Sequence, residues 1–106
     1  MAQNFRSQGT QITNSATTLY TAGAFDAVIG LRLANITTAA ITVSVWIDDG
    51  AVRYIVKDLS IPPASSVEIV QGGAKFVMAN NNVLKAQSSA ATSADAWVSV
   101  VQQIST

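Results

Sequence analysis

The sequence predicts an all-β chain: a single antiparallel β-sandwich, Ig-like or jelly-roll-like, of seven or eight short strands. Short runs rich in Val, Ile, Leu and Thr recur about every 8–12 residues, with Gly, Pro, Asn and Ser between them. No segment carries a convincing 3.6-residue apolar period. At the centre of the chain, Asp49-Gly50 separates two alternating apolar runs, a strong short-range hairpin signal.

Residues 1–9 are polar, with Phe5 as their only large apolar side chain apart from Met1. No strand pattern ties them to the rest, so they are read as a flexible N-terminal arm, and 10–106 as the sandwich domain. Thr10 to Tyr20 offers Ile12, Leu19 and Tyr20 for burial and reads as one or two short edge strands. Residues 21–24 form a turn. Asp26 to Ile36 is a strand with Ile29, Leu31 and Leu33 on one face and Arg32 on the other. Gly30 there leaves room for close backbone approach.

The central hairpin spans Ala40 to Ile61. With Asp49-Gly50 as a two-residue loop, Trp46 faces Arg53 and Val45 faces Tyr54. Val43, Val45, Ile47, Val52, Tyr54 and Val56 then share an apolar face, which must pack on further sheet because a lone hairpin is marginal in water. Pro62-Pro63 stops the second strand. Val67 to Gln71, Lys75 to Met78 and Val83 to Ser88 read as short strands, broken by Gly72-Gly73 and by Asn80-Asn81-Asn82. Asp95 to Ile104 closes the chain, with Val98, Val100 and Ile104 on one face and Trp97, Val101 and Gln103 on the other.

Composition narrows the function. At 106 residues the chain is one domain, large enough for a modest core without staples. Only 11% of residues are charged and the formal net charge is zero, which argues against electrostatic binding to nucleic acid or an anionic membrane. There is no Cys, so no disulfide or thiolate metal site. There is no His, the commonest general base and metal ligand. The first six residues lack the basic start and apolar core of a signal peptide, so use without Sec export is expected.

No constellation of catalytic residues emerges, and no cofactor or metal is expected. Asp48-Asp49-Gly50 lacks the spaced ligands of a Ca²⁺ loop and reads as a turn. Asp26, Asp58, Glu68 and Asp95 are scattered, with no acid–base pair placed by spacing. Gly72-Gly73-Ala74-Lys75 has neither the length nor the hydroxyl of a phosphate loop. Ser15, Ser65 and Ser66 have no His or Cys to work with. Asn35-Ile36-Thr37 matches a glycosylation sequon but lacks an export signal. The residues that stand out are interface candidates: Phe5 and Arg6 on the arm, Trp46 and Arg53 across the hairpin. Trp46 is open to three roles: outer cover of the sheet, anchor of a protein interface, or stacking platform for a sugar.

Several stretches are familiar together. Ser15-Ala16-Thr17-Thr18-Leu19-Tyr20-Thr21-Ala22 leads into a strand ending Leu33-Ala34-Asn35. Val43-Ser44-Val45-Trp46 follows, then Leu59-Ser60-Ile61-Pro62-Pro63 with Val67-Glu68-Ile69, and a last strand after a small-residue loop. The chain resembles small virion structural proteins of tailed bacteriophages, particularly marine and cyanobacterial ones. That resemblance implies a non-enzymatic sandwich subunit of the particle, made in the host cytoplasm and ending in the virion. Its implied partners are other virion proteins (major capsid, neck or tail subunits) and further copies of itself. Decoration or cementing of the capsid shell is the leading expectation, and a neck or tail accessory role the alternative. A carbohydrate-binding module on a host-attachment structure is the rival, with Trp46, Tyr20 or Trp97 as the platform.

Overall fold

The computed structural model describes residues 4–23, 25–70 and 76–105. Nine strands lie among them: β1 (Asn4–Ile12), β2 (Thr17–Thr21), β3 (Phe25–Asn35), β4 (Ile41–Asp48), β5 (Val52–Ile61), β6 (Ser66–Val70), β7 (Phe76–Met78), β8 (Val83–Ser88) and β9 (Ala94–Ser105). The pairings nest around the Asp49-Gly50 turn. β4 pairs with β5, β3 with β6 and β7, β2 with β8, and β1 with β9, all antiparallel. The chain is therefore one long hairpin. It is folded over on itself so that β9 also reaches β3 and β8 also reaches β4.

This roll produces two packed antiparallel sheets. One has the order β1-β9-β3-β6, with β7 also beside β3; the other runs β2-β8-β4-β5. The expected β-sandwich is present, and of the two expected variants the nested order is that of a jelly roll. Between the sheets lie alternate residues of each strand: Leu31 and Leu33, Val43 and Val45, Leu84 and Ala86, Val98 and Val100. Fully burying one such side chain contributes roughly 1.5–3 kcal/mol.

Most elements fall where the turn residues put them. Asn81 adopts a left-handed φ of 71° in the turn before β8, and Ala64 a φ of 55° after the two prolines. β2 and the end of β1, the expected edge strands, do lie at sheet edges. Gly72-Gly73, Lys75 and Ala24 lie outside the described residues.

Three expectations are corrected. First, residues 4–9 are not a free arm: they are the first two-thirds of β1, paired with β9 from Asn4↔Gln102 to Gly9↔Trp97. The sandwich thus begins at or before Asn4, while residues 1–3 lie outside the description. Backbone bonding at an edge tolerates polar side chains on both faces, so no apolar alternation announced it.

Second, the hairpin loop holds three residues, not two: Asp48 pairs with Val52 across Asp49, Gly50 and Ala51, with Gly50 at φ 104°. Trp46 consequently stands opposite Tyr54 rather than Arg53. Irregularities at Ile55 and at Lys57-Asp58 then return Val56 to the core side, while Val52 and Tyr54 are exposed. Third, a bulge between Val28 and Gly30 moves Ile29 out of the inner face expected of it; Val28 takes that place and is fully buried.

Candidate functional site

The polar groups inside the sandwich are tied up in structural bonds. Asp26 is buried and accepts a 2.6 Å hydrogen bond from the Tyr20 hydroxyl, which in turn accepts one from Gln102 Nε2 at 2.8 Å. Burial, and next the hydrogen bond to Asp26, hold the Tyr20 hydroxyl above its ordinary pKa of 10.0.

Asn35, the residue of the sequon, is only 2% exposed. Its Nδ2 reaches the carbonyls of Ala39, Ile61 and Pro62 at 2.8, 3.0 and 3.1 Å, and its Oδ1 accepts from the Thr37 amide and hydroxyl. It clasps three chain segments and offers no free amide to a glycan. Among the described residues, no three His, Cys, Asp or Glu side chains group as metal ligands would.

The outer faces of the two sheets are what the molecule presents. On the four-stranded sheet, the Trp46 ring meets Tyr54 edge-on, and Lys57 Nζ lies 5.1 Å from the Tyr54 centroid. Trp46 is 8% exposed, so it covers the sheet and presents little surface of its own. Arg53 is exposed beside the hairpin tip, 3.5 Å from Asp49. Asp58 holds a left-handed φ of 54° at the β5 bulge, its amide donating to Ser44 Oγ at 2.9 Å.

On the five-stranded sheet, residues align in transverse rows. Gly9, Trp97, Arg32 and Glu68 form one row, with Arg32 and Glu68 ion-paired. Phe5, Val101, Ala27 and Val77 form another, entirely apolar. Between them lie Ser7, Ser99 and Gly30, all small. Phe5 is 77% exposed, Trp97 55% and Val77 57%. A Cβ at Gly9 would come within 3.1 Å of the Trp97 ring, so the indole leans over the space that glycine leaves open. Beside it runs an open groove of about 370 Å³, walled by Gly9, Gln11, Arg32, Asp95 and Trp97.

The four interface candidates therefore do not converge. Phe5 lies on the five-stranded sheet, Trp46 and Arg53 on the four-stranded one, and Arg6 is exposed on β1 beside Tyr20 and Val98. Sequence reasoning placed Trp97 outside the core but could not join it to Phe5. The link is the β1–β9 ladder, and its signal was the small–large alternation of Phe5, Ser7 and Gly9 against Val101, Ser99 and Trp97.

No family model matches the sequence, and no curated protein matches it. Solved structures do match by fold. A chain of the acid-stable capsid of the Helicobacter pylori bacteriophage KHP30 superposes with a TM-score of 0.61 at 14% identity, over 95% of this chain and 87% of that one. A subunit of Bacillus endospore appendages, described as disulfide-linked pili, matches with a TM-score of 0.57 at 12% identity, over 98% and 88%. A pentameric capsid protein from metagenomic phage sequences matches more loosely, with a TM-score of 0.49 at 14% identity, over 91% and 62%. At these identities the likeness is one of fold.

Proposed function

We propose that this chain is a non-enzymatic structural subunit of a bacteriophage particle, and that it decorates or cements the capsid shell. The observation that carries the reading is the end-to-end likeness to a chain of the KHP30 capsid, 95% of one against 87% of the other. A match of that extent compares whole folds rather than a shared motif. The rest of the molecule agrees with it. The net charge is zero, and Phe5, Val77 and Trp97 stand exposed on one sheet face, as suits a subunit that buries neutral surface against neighbours. Many weak contacts in a shell then add through multivalency. Phe5 and Arg6, at the start of β1, are the proposed contacts to adjacent virion proteins.

Quantitative mass spectrometry of purified particles tests this reading. A copy number comparable to that of the shell's own subunit supports decoration. A copy number of only a ring or two places the protein in the neck or tail, and absence from particles overturns the proposal. The carbohydrate reading keeps one of its three platforms, since Trp46 and Tyr20 are buried and only Trp97 is open. Glycan-array binding abolished by Trp97→Ala would promote it.

A further inference from the structure

We propose that a polar trough on the outer face of the four-stranded sheet binds a neutral saccharide, one ring of it held between Gln87 and Asp58. The trough exists because β4 is small where its neighbours are not. Thr42 and Ser44 face outward, and the next outward residue is Trp46. The step from hydroxyl to indole leaves a hollow of about 300 Å³, closed at one end by Trp46 and Tyr54. That volume lies at the lower bound of ordinary small-molecule sites.

The wall on β5 is built by an irregularity. Val43 pairs with Leu59 and Val45 with Val56, so Lys57 and Asp58 both stand opposite Ser44. In a regular strand two consecutive side chains point to opposite faces; here both border the trough. The arrangement interrupts the ladder and holds a non-glycine residue at φ 54°, fixed by the hydrogen bond from its amide to Ser44 Oγ. Its product is a cation and a carboxylate side by side, neither of them in an ion pair among the described residues.

The opposite wall is Gln87, which pairs with Ser44 from β8. Its Nε2 donates to the Asn14 carbonyl at 2.9 Å, which fixes the carboxamide. Ser89 Oγ accepts from the Thr42 amide at 3.0 Å and keeps its own proton to donate. Gln87 and Asp58 flank one strand, so their backbones lie about 9.5 Å apart, two strand spacings. That leaves room for one pyranose ring lying across Ser44.

The chemistry of the walls selects the ligand. Lys57 and Ser89 donate hydrogen bonds, while Asp58 and the Gln87 carbonyl accept them. A phosphate would meet the Asp58 carboxylate, and a metal ion the Lys57 ammonium. An apolar ligand would strip water from these groups and give no bond in return. Sugar hydroxyls both donate and accept, and ring C–H groups suit the aromatic end. Trp46 serves here as an end wall rather than a stacking platform. The site needs no particle, so its failure and that of the particle reading are separable.

The chain has two tryptophans, and Trp97 lies on the other sheet. Trp97→Phe therefore leaves Trp46, at the end of the trough, as the one indole reporting on it. This variant is titrated by fluorescence with maltotriose, cellotriose, chitotriose and mannotriose, and with inorganic phosphate as an anion control. At least one trisaccharide should give a saturable change, and phosphate none. Asp58→Asn removes the charge yet keeps a residue type that tolerates a left-handed φ, and Gln87→Ala removes the facing carboxamide. Each should weaken binding roughly tenfold. Both side chains are exposed, and an unchanged thermal midpoint verifies the fold. No saturable change with any of these sugars overturns the proposal, as does a change that both variants leave intact. Saturation by phosphate would make the trough an anion site, and a wild-type sugar response abolished by Trp97→Phe would put the sugar on the other sheet; either result also overturns it.

Discussion

Trp46 stands directly opposite Tyr54 across the β4–β5 ladder, the ring centroids 5.8 Å apart and the planes at 61°. This edge-to-face pair, not a cation–π contact with Arg53, covers the β4–β5 side of the four-stranded sheet. Substituting Trp46 by Ala removes a side chain only 8% exposed and should destabilise the domain by about 3–5 kcal/mol. Arg53→Ala should stay within about 0.5 kcal/mol, its ion pair with Asp49 being surface-exposed. Urea denaturation with a Trp46/Tyr54 double-mutant cycle checks this. A coupling of about 0.5–1.5 kcal/mol is expected there, and none between Trp46 and Arg53. The opposite ranking would restore the two-residue loop.

Gly50 and Gly23 both have open space where a Cβ would stand, but only Gly50 has a left-handed φ, 104°. For an added Cβ crowding is thus removed as a variable, and backbone conformation decides. Gly50→Ala should cost about 1–3 kcal/mol. Gly23→Ala should be neutral or stabilising by up to about 1 kcal/mol, through the unfolded chain. Equal midpoints for the two variants would show that the hairpin tip tolerates another geometry.

Much of the fold was legible because turn chemistry and apolar alternation coincide. Pro62-Pro63, Asn80-Asn81-Asn82 and Asp49-Gly50 mark real ends of strands. The roll was not legible. Pairing β1 with β9 joins residues about ninety positions apart, and no local period encodes such a partner. β1 was hidden twice over: Arg6 and Gln8 on its inner side sit at the sheet edge in contact with water, so the alternation that betrays β4 is missing. The bulges at Ile29 and Ile55 were equally silent, since each adds a residue without changing composition. The surface of the five-stranded sheet went unread for the same reason: its rows exist only once β1 has a partner.

The Tyr20–Asp26 bond gives the domain an alkaline limit. The folded state holds the Tyr20 hydroxyl above 10.0 and so favours its protonated form. That contribution is fully present below the unfolded pKa and is lost as pH rises through the higher, folded one. The thermal midpoint of the wild type should fall with increasing steepness above about pH 10. In Tyr20→Phe the baseline should be lower, because Asp26 loses a hydrogen bond, and this part of the alkaline slope should vanish. Parallel alkaline profiles for the two proteins would show that Tyr20 titrates as it does in the unfolded chain.

Asn35 is the polar residue on which the corner between β3, β4 and β5 depends. Its amide nitrogen has two hydrogens and three carbonyls within 3.1 Å, while its oxygen accepts twice from Thr37. Asn35→Ala leaves the carbonyls of Ala39, Ile61 and Pro62 without this partner and should cost about 1–3 kcal/mol. Asn35→Asp is nearly isosteric yet worse at neutral pH, because a carboxylate oxygen then faces three carbonyl oxygens in a site closed to water. The aspartate would be held largely protonated by that environment, its folded pKa raised above the unfolded value. A raised carboxyl pKa makes the folded state more stable as pH falls. The gap in thermal midpoint between Asn35→Asp and the wild type should therefore narrow steadily from about pH 7 to about pH 4, while the gap for Asn35→Ala stays constant. A pH-independent deficit for Asn35→Asp would mean that the corner opens to water and that Asn35 is not the clasp its hydrogen bonds make it.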